Sequence, residues 1–248
     1  MSALPPQSTT DRNVAVNWGN AHRYTPAPRH RRRLLFNMIR ELDITDMLDA
    51  GCAQPFLVER VARELDVGAH GCDISDEVMR GSQGTVPGAE FMALDLESEA
   101  WPGDRRFDLV VCSETLEHIA DWRAALANVV RMARRYVIVT VPSGRIRAVD
   151  RLMGHYRHFD AQDIVGELER HGVRALRVRY WGFPVHSAYR AGVERFGSDK
   201  VYESFAEGKD YSRTQKALSA VLYATFFSND LFRSGSQLIV LAEREGSS

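Results

Sequence analysis

The chain has 248 residues, a formal net charge of −1 and 26% charged residues. This length fits one large α/β domain or a core with a smaller appendage. The near-zero net charge provides no general attraction to nucleic acid or to a membrane surface, and no apolar run approaches the roughly 18 residues of a membrane span. Three scattered cysteines (Cys52, Cys72 and Cys112) and an N-terminus without a signal pattern favour a reducing, cytoplasmic location.

The beginning of the chain is polar and contains several prolines, so residues 1–26 are predicted to form a flexible tail. A helix is predicted from about Arg29 to Leu42, because its apolar residues recur at helical spacing. The basic run at residues 30–33 is interpreted as the solvated start of that helix. A clamp for an anionic ligand is the alternative.

Strand-like and helix-like segments then alternate along the chain, which predicts a mostly parallel, doubly wound α/β sheet. The run "RYVIVTVP" is almost continuously apolar and indicates a strand that is buried on both faces. The predicted strands are residues 46–51, 69–74, 90–96, 107–113, 135–142, 175–181 and 236–244, and the predicted helices are 55–66, one from Asp76, 119–133 and 160–171.

Residues 182–234 interrupt this alternation and are predicted to be a helical insertion, with residues 27–181 and 235–245 forming the sheet domain. Within it, residues 214–227 ("TQKALSAVLYATFF") are apolar around much of the helix circumference. Three interpretations remain open for this segment: an ordinary packed helix, a substrate lid, or a contact between two copies in a homodimer.

Polar residues follow successive predicted strands at the sheet edge where doubly wound folds bind ligands. They are Asp49, Asp73, Asp95, and the pair Ser113 and Glu114. Asp73 comes 22 residues after Gly51, the spacing at which a carboxylate accepts hydrogen bonds from both ribose hydroxyls in dinucleotide-binding folds. Asp95 is suited to accept a hydrogen bond from an exocyclic amine such as that of adenine.

The segment "MLDAGCAQPF" contains only the first glycine of the usual nucleotide-binding loop, because Ala53 and Pro55 stand near the positions of the other two. The second glycine lets the backbone approach a pyrophosphate, and a ligand without phosphates does not need it. Proline is tolerated at the first position of a helix. The loop therefore favours an adenosine ligand without a pyrophosphate, S-adenosyl-L-methionine (SAM), over a nicotinamide cofactor.

Several motifs resemble those of class I SAM-dependent methyltransferases, specifically their small-molecule branch. The similar segments are "LDAGCA", "GCDIS", "ALDLES", "FDLVVCSETLEHI" and "GHYRHFD". The resemblance implies a Rossmann-like, seven-stranded sheet with an antiparallel last strand. It also implies a SAM site formed by Asp49, Gly51, Cys52, Ala53, Asp73, Ile74, Asp95, Leu96, Ser113, Glu114 and His118.

The expected reaction is transfer of the methyl group to an oxygen or nitrogen of a small molecule such as a specialised metabolite or a sugar. A general base is needed only if the acceptor must lose a proton, and His155, His158 and His186 are the candidates. For His155 and His158, the alternative role is to make hydrogen bonds that fix the loop. His118 is expected to close the donor pocket. Aromatic residues at 180–189 form either an acceptor wall or core packing, and no metal site is predicted because no compact ligand spacing occurs.

Two other functions remain as alternatives. The first is a non-catalytic protein that kept the methyltransferase fold for binding or assembly, since Ala53 and Pro55 depart from the family pattern. The second is a NAD-linked oxidoreductase, which the missing glycines and the lack of an obvious Tyr-x-x-x-Lys pair disfavour. No basic face suited to phosphate contacts is visible, so no nucleic-acid partner is expected.

Overall fold

The computed structural model describes residues 19–196 and 211–246. The strands are β1 Asp46–Ala50, β2 Gly68–Asp73, β3 Phe91–Ala93, β4 Phe107–Ser113, β5 Ala133–Pro142, β6 Val173–Trp181 and β7 Gln237–Arg244. The α-helices are α1 Gly19–Tyr24, α2 Pro26–Ile39, α3 Phe56–Glu64, α4 Asp76–Ser82, α5 Trp122–Met132, α6 Ala148–Leu152, α7 Ala161–Arg170, α8 Val185–Phe196 and α9 Arg213–Thr225. Short 3₁₀ turns occupy Pro102–Asp104, Leu116–His118 and Phe226–Leu231.

The seven strands form one sheet in the order β3-β2-β1-β4-β5-β7-β6. Neighbouring strands from β3 to β5 run parallel, and β7 lies antiparallel to both β5 and β6. The predicted Rossmann-like, seven-stranded sheet with an antiparallel last strand is therefore confirmed. Its order reverses between β1 and β4, which places the ligand-binding switch point beside the end of β1.

Helices cover both faces of the sheet, which explains why its central strands are apolar on both sides. On one face, α2, α3 and α4 pack their apolar residues against Met47, Leu109 and Ile138 of the strands. On the other face, α5 and α7 pack against the alternate strand residues, among them Leu48 and Val110. Strand β5 accordingly has almost no exposed residue from Tyr136 to Pro142.

Two N-caps fix where the helices of the second face begin. The Asp121 carboxylate accepts a hydrogen bond from the Ala124 backbone N–H at the start of α5. The Asp160 carboxylate accepts hydrogen bonds from two backbone N–H groups of α7. The Asp163 carboxylate in turn accepts a hydrogen bond from the Asp160 N–H, which completes a capping box. Such caps satisfy N–H groups that have no partner within the helix.

The N-terminal helices begin earlier than the sequence analysis expected. Helix α2 begins at Pro26 instead of about Arg29, and the short helix α1 precedes it, within the segment predicted to be a tail. The basic run therefore lies inside α2, and His30 is completely buried. The interpretation of this run as a solvated helix start is wrong, because α2 packs onto the sheet domain. Residues 1–18 of the predicted tail lie outside the described residues.

The predicted insertion contains α8, α9 and the last 3₁₀ turn, while residues 197–210 lie outside the described residues. Helix α8 begins near the sheet edge that carries the cavity, whereas α9 has no buried residue. The side chains of Leu218 and Val221 on α9 are both 67% exposed. Among the described helices, none combines the length and the apolar character that crossing a bilayer requires.

Candidate active site

A cavity of about 440 Å³ lies at the carboxyl ends of β1, β2 and β4. Ligand pockets in proteins commonly measure about 300–1,000 Å³. Of the fourteen site residues expected from the sequence, thirteen line this one cavity: Asp49, Gly51, Cys52, Ala53, Asp73, Ile74, Asp95, Leu96, Ser113, Glu114, His118, His155 and His186. Only His158 does not line it.

The loop after β1 is held in its shape by Gly51. This residue has a φ of 79°, and its N–H donates to the Cys72 carbonyl at 2.8 Å. A Cβ atom at this position would lie 2.3 Å from Oγ1 of Thr115, in the loop after β4. Only glycine therefore satisfies both the backbone conformation and the close approach of the two loops.

Ala53 adopts the backbone conformation that glycine would have favoured. Its φ is 48°, in the left-handed region, and its N–H donates to Oδ2 of Asp73 at 2.9 Å. The alanine thus keeps the loop in place at the expense of backbone strain. Pro55, with a φ of −74°, directly precedes α3, so the helix begins at Phe56, one residue later than expected.

The two acids nearest this loop sit in a buried, partly like-charged environment. Burial, reinforced by the neighbouring Asp73 carboxylate, raises the pKa of Asp49 to about 7, while Arg31 and Arg32 act in the opposite direction. Burial also raises the pKa of Asp73, against hydrogen bonds from the Ser75 and Ala53 backbones. Oδ2 of Asp73 accepts the Ala53 N–H and Oδ1 accepts the Ser75 N–H, and a carboxylate has about four acceptor positions in all.

The next part of the cavity combines apolar surface with one carboxylate. Ile74 is 48% exposed although it lines the cavity, whereas Leu96 is buried beside it. Asp95 is half-buried, and its Oδ1 accepts from the Glu97 N–H at 2.9 Å. An exposed isoleucine, a buried leucine and a carboxylate with free acceptor positions suit the faces and the amine edge of a heteroaromatic ring.

The loop after β4 connects the cavity to α2. Glu114 has a φ of 53°, and its Oε1 accepts from the Thr140 hydroxyl at 3.2 Å. Its Oε2 lies 3.2 Å from a guanidinium nitrogen of Arg31, whose side chain is only 15% exposed. The sequence analysis considered a ligand clamp only as the alternative for the basic run that contains Arg31, because only the tertiary fold brings α2 over the end of β4. Ser113 shares a 2.9 Å hydrogen bond with Thr140.

A chain of polar contacts orients His155, another residue of the cavity wall. Nδ1 of His155 lies 3.2 Å from Nε2 of His158, and Nδ1 of His158 lies 3.1 Å from the Gly144 carbonyl. Since the carbonyl can only accept, Nδ1 of a neutral His158 carries its proton and Nε2 accepts from His155. Behind them, Asp150 lies 3.4 Å from Nε2 of His158 and pairs with Arg190.

These contacts correct the expected role of His158. Its side chain is only 2% exposed and it stands behind His155, so it positions that residue and does not itself face the cavity. The nitrogen of His155 that contacts His158 is Nδ1. The Asp150–Arg190 pair was not identified from the sequence, where nothing links two residues so far apart.

Burial governs the charge state of the cavity histidines. It lowers the pKa of His155 to about 2, with the neighbouring His118 and His158 adding to the effect. It lowers the pKa of His118 to about 4 and that of His186 to about 3. These side chains are therefore neutral at pH 7 and have free lone pairs, but they are weak proton acceptors.

Glu117 is a further cavity residue that the sequence analysis missed. It lies in the 3₁₀ turn Leu116–His118, is 0% exposed, and neither carboxylate oxygen has a hydrogen-bond partner in the described part of the chain. Burial, then the nearby Glu114, raise its pKa well above the ordinary value. The available signal was a charged residue inside the apolar motif "TLEHI".

The structure also gathers metal-ligand types that no sequence spacing revealed. Glu117, His118 and His155 form one group, and Asp150, His155 and His158 form another. The expectation of no metal site assumed ligands at close spacing in the sequence. Here His155 comes from the segment after β5 and meets the turn after β4 only in the folded chain.

The aromatic residues after β6 divide between the cavity and the core. Tyr189 lines the cavity, whereas Trp181 is fully buried and stacks on His186 with ring centroids 5.3 Å apart. The Tyr180 hydroxyl accepts from the Ala161 N–H, and Phe183 packs against Phe232 at the surface. Trp181 and Tyr180 thus pack in or against the core, Tyr189 belongs to the cavity wall, and Phe183 lies at the surface.

Comparison with solved structures shows which proteins share this fold. The N-methyltransferase NodS from Bradyrhizobium japonicum WM9, bound to S-adenosyl-L-homocysteine, has a TM-score of 0.61 at 15% identity, over 96% of this chain and 100% of that chain. Magnesium protoporphyrin IX methyltransferase (ChlM) from Synechocystis PCC 6803, bound to SAM, has a TM-score of 0.58 at 15% identity, over 99% and 100%.

A third similar structure is the [4+2]-cyclase SpnF, with a TM-score of 0.60 at 16% identity over 98% of this chain and 99% of that chain. At such low identities these likenesses show the fold alone. No curated protein sequence matches the chain.

The family comparison is more specific. A family model described as "Methyltransferase domain" matches residues 20–178, more than half of the chain. This match covers the glycine loop, all the acids at the strand ends and the first two candidate histidines. The chain belongs to the class I SAM-dependent methyltransferases.

Proposed function

We propose that this chain transfers the methyl group of SAM to an oxygen or nitrogen of a small molecule. The observation that carries the proposal is that one cavity is lined by both sets of groups the reaction needs. The glycine loop and the strand-end acids form one wall, and His118, His155 and His186 line the same space.

In this proposal, the residues around the glycine loop and the strand ends contact each part of SAM. The free acceptor positions of Asp73 take the two ribose hydroxyls, while Ile74 and Leu96 pack on the adenine and Asp95 accepts from its amine. Gly51, Cys52 and Ala53 border the methionine portion, together with Asp49. Ser113, Glu114 and His118 border the methyl group.

On the acceptor side, the walls act mainly by positioning. Methyl transfer is an in-line displacement, and well-oriented reactants gain as much as about 7–11 kcal/mol from proximity and alignment. His155 and His186 present neutral imidazoles to the cavity, while His158 fixes the ring of His155. Tyr189 and Val193 of α8 add apolar surface on which part of the acceptor can pack.

The test of the donor site is calorimetric titration of the purified chain with S-adenosylhomocysteine (SAH), with NADH as the comparison ligand. We expect micromolar binding of SAH, none of NADH, and loss of SAH binding in Asp73→Ala. The matched control is Asp76→Ala, whose exposed carboxylate pairs with Arg80 at the surface. It should bind SAH like the wild type.

Absence of SAH binding in a folded protein would contradict the proposal and favour the non-catalytic alternative. If SAH binds, incubation with SAM and a panel of hydroxyl- and amine-bearing small molecules follows, with SAH release as the readout. Binding without turnover of any acceptor would again favour a binding or assembly role.

The two described helices of the insertion suit different expected roles, a substrate lid for α8 and a homodimer contact for α9. Helix α8 supplies His186, Tyr189, Arg190 and Val193 to the cavity wall, which supports a substrate lid there. Helix α9 supplies none and exposes apolar side chains, so the homodimer contact expected for residues 182–234 stays a prediction for this helix. Sedimentation velocity of the wild type and of Leu218→Glu with Val221→Glu tests it, because a dimer through α9 would dissociate in the variant.

A further inference from the structure

Where the donor side of the cavity meets the acceptor side, the wall contains a cluster of possible metal-ligand atoms. Glu117, His118 and His155 each offer one such atom, and these atoms lie within 4.8 Å of one another. Both oxygens of the buried Glu117 carboxylate and Nδ1 of His118 lack hydrogen-bond partners among the described residues. An ionised carboxylate buried without a partner is strongly unfavourable, and coordination of a metal cation is one way in which proteins compensate such burial.

The surroundings of the two imidazoles leave one lone pair of each available. His155 directs Nδ1 at His158, which the Gly144 carbonyl holds in turn, so Nε2 is the nitrogen of His155 that can serve as a ligand. In His118 the free atom is Nδ1. A histidine whose second nitrogen is fixed by a hydrogen bond is the usual arrangement around protein metal sites.

We propose that Glu117, His118 and His155 bind one divalent transition-metal cation, with Zn²⁺ as the best match, and that this cation holds a hydroxyl group of the acceptor. Two imidazoles and one carboxylate with an open fourth position form a known catalytic zinc set, whereas Mg²⁺ and Ca²⁺ prefer oxygen ligands. Zinc–ligand distances of about 2.0–2.2 Å allow two ligand atoms to lie up to about 4 Å apart, so a small closing movement suffices.

The second group of ligand types is a poorer candidate. The Asp150 carboxylate already pairs with Arg190 and accepts the Arg147 backbone N–H at 2.8 Å. The two nitrogens of His158 face the Gly144 carbonyl and His155. This group therefore orients His155, and the unsatisfied atoms belong to the first group.

The inference rests on the proposed function and narrows its acceptor to a hydroxyl-bearing small molecule. The cation lowers the pKa of the bound hydroxyl, whose proton passes to solvent water. The oxygen then forms a bond to the methyl carbon as the carbon–sulfur bond breaks, and the sulfonium becomes the neutral thioether of SAH. Nothing is oxidised or reduced, and no histidine has to accept the proton.

The test is metal binding to the full chain after chelator treatment and dialysis. Zn²⁺ is titrated by calorimetry and Co²⁺ by visible absorption, and we expect one cation per chain. Glu117→Gln, which keeps the side-chain shape and removes the buried charge, should lower the affinity by about 100-fold or more and abolish the Co²⁺ bands. His158→Gln, a change behind the ligand His155, should lower the affinity by about 10–100-fold.

The control is His171→Gln, a histidine at the end of α7 and away from the cavity, which should leave metal binding unchanged. Zn²⁺ should also raise the Tm of the wild type and not that of Glu117→Gln, since a cation that binds only the folded state stabilises it. This second readout requires no activity.

SAH titration of the same samples separates the two proposals. SAH binding together with Glu117-dependent Zn²⁺ binding supports both. SAH binding without Zn²⁺ binding, or with Zn²⁺ binding that Glu117→Gln leaves unchanged, overturns the metal site and leaves the donor site standing. Glu117-dependent Zn²⁺ binding without SAH binding supports the cation site and overturns its role in methyl transfer.

Discussion

At the scale of single residues, Ala53 holds the loop after β1 in a left-handed backbone conformation that glycine adopts without strain. A left-handed φ destabilises the folded state of an alanine by about 1–2 kcal/mol. Glycine avoids this strain, but it lowers the free energy of unfolding by about 0.4–1 kcal/mol relative to alanine, because the unfolded chain gains conformational entropy. At a φ of 48° we therefore expect Ala53→Gly to raise the free energy of unfolding by up to about 1 kcal/mol, measured by urea denaturation.

The matched control is Ala62→Gly in the regular part of α3. There the same substitution should lower the free energy of unfolding by about 1 kcal/mol, because glycine is unfavourable inside a helix. Equal losses in both variants would show that the positive φ at Ala53 stores no strain.

Asp49 makes the stability of the fold depend on pH. Its pKa rises from an ordinary 3.8 to about 7 on folding, so the folded chain binds this proton more tightly than the unfolded chain. The stabilisation that the folded state gains from binding this proton is present at low pH, and it is lost as the pH rises from about 4 to 7. In Asp49→Asn, an uncharged mimic of the protonated acid, this loss is absent.

The measurement is the free energy of unfolding of wild type and Asp49→Asn at pH 5, 6, 7 and 8. The free energy of unfolding of the wild type should fall relative to that of the variant by up to about 1.4 kcal/mol per pH unit between pH 5 and 7. The difference between the two free energies should become constant above pH 7. Parallel curves across the range would mean that Asp49 titrates alike in both states.

At the scale of elements, α2 is tied to the insertion through Asp230. This residue lies in the 3₁₀ turn Phe226–Leu231, pairs with Arg33 of α2, and lies 3.4 Å from both Arg179 of β6 and Nε2 of His30. We expect Asp230→Asn to lower the free energy of unfolding by about 1–3 kcal/mol, since hydrogen bonds to charged, partly buried groups are lost.

The comparison variant is Asp76→Asn, which breaks the exposed pair with Arg80 one helical turn away. Its effect should stay below about 0.5 kcal/mol, the usual worth of such a pair. Similar effects of the two variants in chemical denaturation would show that the Asp230 contacts do not hold α2 to the insertion.

Elements defined by local patterns could be predicted from the sequence, and elements defined by distant contacts could not. Strand β4 coincides with its predicted range, because its residues are apolar and bounded by polar ones. The contact of Arg31 on α2 with Glu114 after β4 joins segments far apart in the sequence, so no local pattern contains it.

The same distinction applies within the candidate site. The acids at the strand ends were visible because parallel strands bring their carboxyl ends to one sheet edge. Glu117 and the position of His158 behind His155 were not, because they depend on how the segment after β5 folds back over the turn after β4. The spacing of residues in the sequence does not indicate that these two segments come into contact.

At the scale of the whole molecule, the cavity joins the sheet to the N-terminal helices. Arg31 and Arg32 of α2 line it together with the glycine loop, and Arg32 lies over the Phe56 ring at 5.2 Å from its centroid. A ligand that fills the cavity therefore contacts both the sheet domain and helix α2. SAH at about one hundred times its dissociation constant should stabilise the folded chain by about 2.7 kcal/mol.

We expect this stabilisation to be distributed unevenly, and hydrogen–deuterium exchange can map it. SAH should slow amide exchange in α2 and in the loops after β1, β2 and β4, whose residues line the cavity. Helix α9 lines no part of it and serves as an internal control whose local opening should not change. Slower exchange confined to the strand-end loops, with α2 unchanged, would show that α2 is not a wall of the donor site.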